Sequence, residues 1–265
     1  AHAMQTDTPI RIAKDQYSVF ELLRKEEQGR IVLSPDFQRK DVWKDNQRCE
    51  LIESVLLGIP IPLIYLFENE NGIRQIIDGK QRITSLKLFI NNELKLTNLV
   101  MLPNLDGKTF ADIDPQLQAK IEDYQINTYV IQPPTPEYVK FNIFDRVNRG
   151  GTHLNKQEIR HALYQGKVTG LLENLTQCQN FKAATGDGVK PERMRDKYLI
   201  LRFISFYLYR TGQLGSYQYK SDVDDFLAHV MKFINLKNDD AFNDQLRYVC
   251  ELGLYNVFTL LGSEA

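Results

Sequence analysis

The stretch IIDGKQRITSL, residues 76–86, crowds an acid, a glycine, two cations and an amide between two apolar segments. If residues 73–77 form a strand and a helix begins just after Gly79, the free backbone N–H groups of the first helical turn and the helix dipole make the space beside Gly79 positive. Cations and hydroxyls follow closely at Lys80, Arg82, Thr84 and Ser85. This pattern is typical of a phosphate cradle at a helix N-terminus.

Asp78 is the unusual member of this stretch, because a carboxylate repels phosphate. Its presence is explained if it ligates a Mg²⁺ ion shared with phosphate oxygens, accepts a proton from an attacking water, or binds a sugar hydroxyl. A structural explanation is also open, since Asp-Gly is a common turn, Asp is a good helix N-cap, and Lys and Arg often line a solvated helix face.

The overall composition is ordinary and points to no general partner. The 265 residues are 43% hydrophobic and 25% charged with a formal net charge of −1, so an anionic partner must be met by a local patch. The longest apolar tract, residues 52–67, is interrupted by charge and proline and is shorter than the roughly 20 residues of a spanning helix. The three cysteines have neither disulfide-framework nor metal-ligand spacing. We expect a cytoplasmic protein with no membrane partner.

The apolar pattern predicts an α+β fold, with mixed elements first and helices afterwards. Two β-type runs, residues 63–67 and 73–77, flank Asn71–Gly72, which tolerates the positive φ angles of a hairpin turn. The other elements predicted in the first half are helices at 17–28, 46–57, 79–91 and 115–124, and strands at 31–33, 94–96 and 127–131. From residue 136 onward the spacing is helical. These patterns predict two domains, residues 5–134 and residues 135–265.

A second polar cluster lies in SPDFQRKDVW, residues 34–43. Its aromatic side chains, Phe37 and Trp43, bracket polar residues and can stack on a planar ring while Arg39 meets charge. The same aromatic residues can equally be core anchors, with the polar residues at the surface. The sequence favours the second explanation slightly until the other segments are considered.

A third cluster lies in FDRVNRGGTHLNKQEIRHAL, residues 144–163. It predicts a helix, a stop at Gly150–Gly151, and a new helix whose Asn155 and Glu158 have the spacing of a capping box. A helix-turn-helix interpretation would direct Lys156, Gln157 and Arg160 toward bases, although the pattern is loose.

Charge is uneven in the second half of the chain. Residues 146–167 hold five basic side chains and one acidic one, whereas residues 222–251 hold seven acidic and three basic ones. We therefore expect the basic stretch to be available to an anion and the acidic face of the C-terminal helices to be solvated.

Four motifs together resemble the N-terminal domain of GmrS-type modification-dependent restriction proteins, a family that includes related anti-phage proteins. In chain order they are PDFQRKDVW, LIESVLLGIPIP, IDGKQRITSL and FDRVNRGGTHLNKQEIRHAL. The resemblance covers roughly residues 17 to 165 and implies a mixed α/β N-terminal fold similar to ParB and sulfiredoxin, whereas the all-helical C-terminal domain predicted from the spacing is covered more weakly. It also implies binding and hydrolysis of a nucleoside triphosphate.

The resemblance carries functional residues to specific positions of this chain. The family's D-G-Q-Q-R motif corresponds to Asp78, Gly79, Lys80, Gln81 and Arg82, its F-Q-R element to Gln38 and Arg39, and its R-x-N-x-G element to Asn148 and Gly151. Lys80 stands where the family usually has glutamine, which leaves the nucleotide preference open. The restriction members carry an HNH nuclease domain, whose histidine-containing motif the sequence after His161 lacks. We therefore expect either a family member without a nuclease or a chain that ends before one, with the nuclease as a separate or deleted partner domain.

Three functions follow, in decreasing order of expectation. The first is a nucleotide-binding and hydrolysing regulatory domain of a restriction or phage-defence system. In it Asp78 and Arg82 are catalytic and Asp78 holds Mg²⁺ or orients the attacking water, while phosphates lie at residues 79–82 and Thr84. Cations and polar groups close the site from the other side at Gln38, Arg39, Arg146, Asn148, Arg149 and Gly151. The second is a non-catalytic DNA-binding or partner-binding module, and the third is a ParB-like DNA nickase.

Overall fold

The computed structural model describes residues 10–33, 42–147, 154–186, 188–189 and 191–261, with side chains of the last helix described to residue 256. Within this part, the chain forms two compact units. The first unit contains residues 10–136 and 143–147, and the second contains residues 137–142 and those from 154 onward. Among the described residues, no helix combines the length and apolarity needed to cross a membrane.

The first unit contains five strands and four α-helices before its last short segment. The strands are β1 (Arg11–Ser18), β2 (Ile31–Leu33), β3 (Ile64–Glu68), β4 (Arg74–Asp78) and β5 (Gln125–Gln132). The helices are α1 (Val19–Glu27), α2 (Asp45–Leu56), α3 (Lys80–Ile90) and α4 (Pro115–Asp123). Short 3₁₀ turns at Pro103–Leu105 and Phe110–Asp112 lie between α3 and α4. The α+β class predicted from the sequence is confirmed.

The five strands form one mixed sheet in the order β1-β5-β3-β4-β2. β1 is antiparallel to β5 and β3 is antiparallel to β4, whereas β3 pairs with β5 and β2 with β4 in parallel. Helices and sheet share one apolar core, in which Leu22, Ile52 and Ile83 of the helices are buried with Ile64 and Ile76 of the strands. The sheet and this core fix where β4 ends and α3 begins. A likeness to ParB and sulfiredoxin stays a prediction.

The hairpin predicted around Asn71–Gly72 is confirmed. β3 and β4 pair antiparallel with Leu66 opposite Ile76, and Gly72 has a φ of +78°. The side chain of Asn69 accepts hydrogen bonds from the backbone N–H groups of Asn71, at 2.9 Å, and Ile73, at 3.0 Å. The turn therefore satisfies its own backbone donors, as polar turn residues commonly do.

The strand predicted at residues 94–96 is wrong. Leu94 and Leu96 are buried core residues in an irregular segment. Leu96 exchanges backbone hydrogen bonds with Gly107 and Lys108, at 2.7 and 2.9 Å, within a local loop. The alternation of apolar and polar residues here reflects burial of every second side chain, which does not require a ladder of strand pairing.

The second unit is described by helices alone. Helix α5 (Glu137–Val147) belongs to it up to Asn142, and the helices that follow are α6 (Lys156–Leu163), α7 (Lys167–Thr176), α8 (Gln179–Thr185), α9 (Arg195–Arg210), α10 (Val223–Lys237) and α11 (Asp240–Leu261). Its core includes Leu172, Leu201 and Phe226. The predicted capping box is confirmed, because the Asn155 side chain accepts from the Glu158 N–H at 2.9 Å and the Glu158 carboxylate accepts from the Asn155 N–H at 3.1 Å.

Three of the five basic residues of 146–167 pair with two aspartates of the acidic stretch of residues 222–251, contrary to the expectation that the basic stretch is available to an anion. Lys156 and Arg160 both meet the carboxylate of Asp224, at 2.6 and 2.8 Å, and Lys167 pairs with Asp240. These three cations are therefore engaged within the second unit. The pairing therefore removes these three cations from a candidate anion site, whereas Asp222, Asp239 and Asp244 of the acidic stretch are exposed, as expected.

The helix-turn-helix interpretation is wrong for the same region. The exposed fractions of Gln157 and Arg160 are 4% and 1%, so neither side chain can reach a base. The Gln157 amide oxygen accepts two hydrogen bonds from the Arg160 guanidinium, at 3.0 and 2.9 Å. The spacing that suggested base readout is instead that of two residues on one buried face of α6.

Candidate functional site

The chain passes from strand to helix at Gly79, as the sequence predicts. β4 ends at Asp78, Gly79 is the N-cap residue with a φ of +104°, and α3 begins at Lys80. No side chain caps this helix end, whereas the Gly79 N–H donates to the Asp78 carboxylate. The first N–H groups of an α-helix have no partner within the helix. The start of α3 therefore presents backbone donors and the positive end of the helix dipole beside Asp78.

Close packing, as well as backbone conformation, favours glycine at position 79. A Cβ atom at this position would lie 2.9 Å from Cγ1 of Ile64 and 3.3 Å from Nη2 of Arg82. The missing Cβ of Gly79 therefore does not open the backbone to a ligand on that side, because Ile64 and Arg82 fill the space. The glycine lets β3 and the Arg82 side chain approach the turn closely.

We expect the substitution Gly79→Ala to lower the free energy of unfolding by about 2 kcal/mol. A non-glycine residue in the left-handed region costs roughly 1–2 kcal/mol, and crowding against Ile64 adds to this cost. Urea-induced unfolding followed by circular dichroism measures the change. Gly107→Ala is the matched control, because its φ is +81° and no atom lies within 4 Å of the added Cβ. Equal losses in the two variants would contradict the packing role.

Asp78, the last residue of β4, and Arg82 of α3 form an ion pair four residues apart. Nη2 of Arg82 donates to Oδ2 of Asp78 at 3.3 Å, while Nη1 donates to the carbonyl oxygens of Pro62 and, at 3.3 Å, Leu63. The Arg82 side chain is 10% exposed and the Asp78 side chain 34%. The guanidinium is thus held inside, between the segment before β3 and the end of β4, and it presents the Asp78 carboxylate to the surface.

Burial shifts the pKa values of both members of this pair. The pKa of the Asp78 carboxyl is raised by desolvation, although the Arg82 charge and the Gly79 N–H act in the opposite direction. The pKa of the Arg82 guanidinium is lowered by its own burial, against the attraction of Asp78. A carboxylate with a raised pKa is a better proton acceptor than an ordinary aspartate. Its partly desolvated charge also attracts a cation more strongly.

The remaining side chains of the α3 N-terminus differ in burial and in hydrogen-bond partners. Lys80 and Gln81 are half-buried, and the Gln81 side-chain oxygen accepts from the backbone N–H of Trp43 at 3.3 Å. The Thr84 hydroxyl is buried, and in the part of the chain that the structure describes it meets no hydrogen-bond partner. Ser85 donates to the Gln81 carbonyl at 2.7 Å. Gln81 therefore ties α3 to the end of the predicted 34–43 segment.

Sequence reasoning missed the carbonyl groups of Pro62 and Leu63 that orient Arg82. The available signal was the pair of prolines in IPIP, residues 59–62, directly before β3. Prolines lack the N–H group that would pair with a neighbour, and the carbonyls around them remain available to a side-chain donor.

Five of the predicted site residues lie outside the described residues, namely Gln38, Arg39, Asn148, Arg149 and Gly151. Arg146 is described as an exposed residue in the last turns of α5, within the part of that helix that belongs to the first unit. The structure therefore brings together Asp78, Gly79 and Arg82 with the first turn of α3. The predicted closure of the site from the other side stays a prediction.

A magnesium ion fits the donor chemistry of this turn. Mg²⁺ is usually bound by one or two carboxylates together with substrate phosphates and water, so the single carboxylate of Asp78 is sufficient when a phosphate supplies the other oxygens. Among the described residues, no group of three or more acidic, histidine or cysteine side chains forms a metal cage. A metal at this place would accordingly arrive with the phosphate.

These features define a mixed α/β domain whose candidate site lies where a sheet strand runs into an uncapped helix. Residues 19–165, more than half of the chain, match the model of the GmrSD restriction endonuclease N-terminal domain. The chain belongs to this family, as its motifs indicated, and carries a domain found in restriction and phage-defence proteins. No curated protein and no solved structure shows a significant match to the chain.

Proposed function

We propose that the turn between β4 and α3 binds the phosphates of a nucleoside triphosphate and that the bound nucleotide regulates a restriction or phage-defence system. The observation that carries this proposal is the partly exposed Asp78 carboxylate at the uncapped N-terminus of α3. Backbone N–H groups and the helix dipole favour the phosphate, and the carboxylate favours the cation that accompanies it.

Each residue has a distinct role in this proposal. Lys80 and the N–H groups of Gln81 and Arg82 contact phosphate oxygens, while the Arg82 side chain positions Asp78 through its hydrogen bonds to Pro62 and Leu63. Further contacts are proposed at the family motif positions Gln38, Arg39, Asn148 and Gly151, and at Thr84, Arg146 and Arg149, whose hydroxyl and guanidinium groups can bind phosphate. Arg82 thus acts through Asp78, because its guanidinium is already engaged.

Hydrolysis requires that water attack the terminal phosphorus, that the bond to the bridging oxygen break, and that the water proton be accepted. Asp78 serves either by holding Mg²⁺ with the phosphates or by accepting this proton, and its raised pKa suits the second role. Bound Mg²⁺ would neutralise charge on the phosphate oxygens. The two roles separate experimentally, because only the first makes nucleotide affinity depend on both Mg²⁺ and Asp78.

Equilibrium binding of ATP, GTP, CTP and UTP, with and without Mg²⁺, tests the proposal. We expect at least one triphosphate to bind with a Kd below about 1 mM, the usual upper range for enzyme substrates. Lys80→Ala should weaken that binding, whereas Lys95→Ala, which removes an exposed lysine of the same unit, should not. Failure of all four nucleotides to bind would remove the proposal, and equal effects of the two lysine variants would remove the assigned site.

A further inference from the structure

Helix α9 carries an exposed stripe that the nucleotide site does not use. Its members are exposed residues of one helix: Arg195, Leu199, Arg202, Phe203 and Arg210. At 3.6 residues per turn, these five positions fall within an arc of about 100° on the helix surface. The opposite side of α9 packs into the core through Ile200, Leu201, Ile204 and Leu208. We call the exposed set the α9 stripe.

The charge of the α9 stripe is uncompensated within the part of the chain that the structure describes. None of its arginines forms an ion pair with a described carboxylate, and Arg202 instead lies 5.7 Å from the ring centre of Tyr198. The acid of this helix, Asp196, is buried. This contrasts with Lys156, Arg160 and Lys167 of the same unit, all of which meet aspartates.

Arg195 stands where a cation works against helix stability. It is the first residue of α9, and the positive end of a helix dipole disfavours positive charge there by a few tenths of a kcal/mol or more. The same position favours an anion, which would interact with both the guanidinium and the helix end. An arginine at this position is therefore better explained by phosphate binding than by helix stability.

The apolar members of the stripe are held in place. A Cβ added at Gly253 of α11 would lie 2.9 Å from Cζ of Phe203, so the ring rests directly on the backbone of that helix. Phe203 and Leu199 remain 44% and 43% exposed between the arginines. Apolar side chains at such places can contact base edges in a groove of duplex DNA.

We propose that the α9 stripe binds the phosphate backbone of duplex DNA. Along a helix with a rise of 1.5 Å per residue, Arg195 and Arg202 are about 10.5 Å apart, and Arg202 and Arg210 about 12 Å apart. These distances approximate the width of the major groove, roughly 12 Å, so neighbouring arginines can meet phosphates on both strands. Because the chain as a whole has a net charge of −1, binding depends on this local patch.

The salt dependence of duplex binding, measured without nucleotide, tests this proposal independently of the nucleotide site. A blunt DNA duplex of about three helical turns is titrated with the full chain by fluorescence anisotropy between about 50 and 200 mM salt. Each phosphate contact contributes a slope of about −0.9 in log K against log salt. The triple variant R195Q/R202Q/R210Q should therefore lose about 2.7 from the slope and on the order of 100-fold in affinity at about 0.1 M salt.

The matched control is R11Q/R24Q/R30Q, which removes the same charge from three exposed arginines of the first unit. It should leave the slope unchanged, and the circular dichroism of both variants checks folding. The F203A variant should weaken binding with no change of slope. The proposal is overturned if the unaltered protein does not bind duplex at about 50 mM salt, or if the two triple variants lose equal affinity and equal salt slope.

Discussion

Replacement of Asp78 by asparagine is expected to lower nucleoside triphosphate turnover by at least about 100-fold, the usual contribution of a positioned acid–base group. An amide can still accept hydrogen bonds from Arg82 and from the Gly79 N–H, but it neither binds Mg²⁺ as a charged ligand nor accepts a proton. Phosphate release at saturating nucleotide measures turnover. If Asp78 holds the metal, the variant also loses the effect of Mg²⁺ on nucleotide affinity.

Stability must be measured alongside turnover, because the substitution removes a partly buried charge. The folded-state pKa of Asp78 is raised, so its ionisation opposes folding as the pH rises through that pKa, and the amide removes this cost. The amide also leaves the buried Arg82 charge without its carboxylate, which acts in the opposite direction. A melting temperature within about 4 °C of the parent, roughly 1 kcal/mol, shows that the fold is kept.

Asp123→Asn is the matched control for this experiment, since Asp123 is an exposed residue of the same unit at the end of α4. It should keep full turnover. Turnover by Asp78→Asn within about threefold of the parent would contradict both roles proposed for the carboxylate, since either role requires a larger loss.

Local signals were sufficient to predict the scaffold of the candidate site. The hairpin turn at Asn71–Gly72 and the change from strand to helix at Gly79 each depend on residues adjacent in sequence, whose backbone preferences act without distant partners. The predicted helix at 79–91 and the observed α3 differ by one residue at each end. Such agreement is expected where apolar spacing and turn residues indicate the same boundary.

The parts of the fold and of the site that the sequence did not predict depend on pairing between residues far apart in the chain. β1 was not predicted, because seven of its eight residues are at least partly exposed and its strand form depends on an antiparallel ladder with β5, more than a hundred residues away. The orientation of Arg82 depends in the same way on carbonyl groups twenty residues earlier. A pattern of residue types shows which groups are able to bind phosphate, and only the fold shows which of them are already occupied.

The charge runs of the second half also show that residue types alone do not reveal which groups are paired. Breaking one of these pairs has the largest effect on stability that we expect. Asp224→Ala should lower the free energy of unfolding by about 3 kcal/mol, because removal of one partner from a buried ion pair leaves the other uncompensated. Arg160 is 1% exposed and would keep only Gln157 as a described hydrogen-bond partner. The value lies at the low end for buried pairs, since the Asp224 side chain is 31% exposed. Urea-induced unfolding measures the loss.

Asp240→Ala provides the matched control, because it removes an aspartate of the same unit from an ion pair at the surface. The Asp240 side chain is 85% exposed and its partner is Lys167. Exposed ion pairs contribute about 0–1 kcal/mol, so this variant should unfold near the parent urea concentration. If both aspartate variants lost less than about 1 kcal/mol of unfolding free energy, the buried Arg160 charge would not depend on Asp224 for its stabilisation. The pairing of the basic stretch would then have to be abandoned, and that stretch would again be a candidate anion surface.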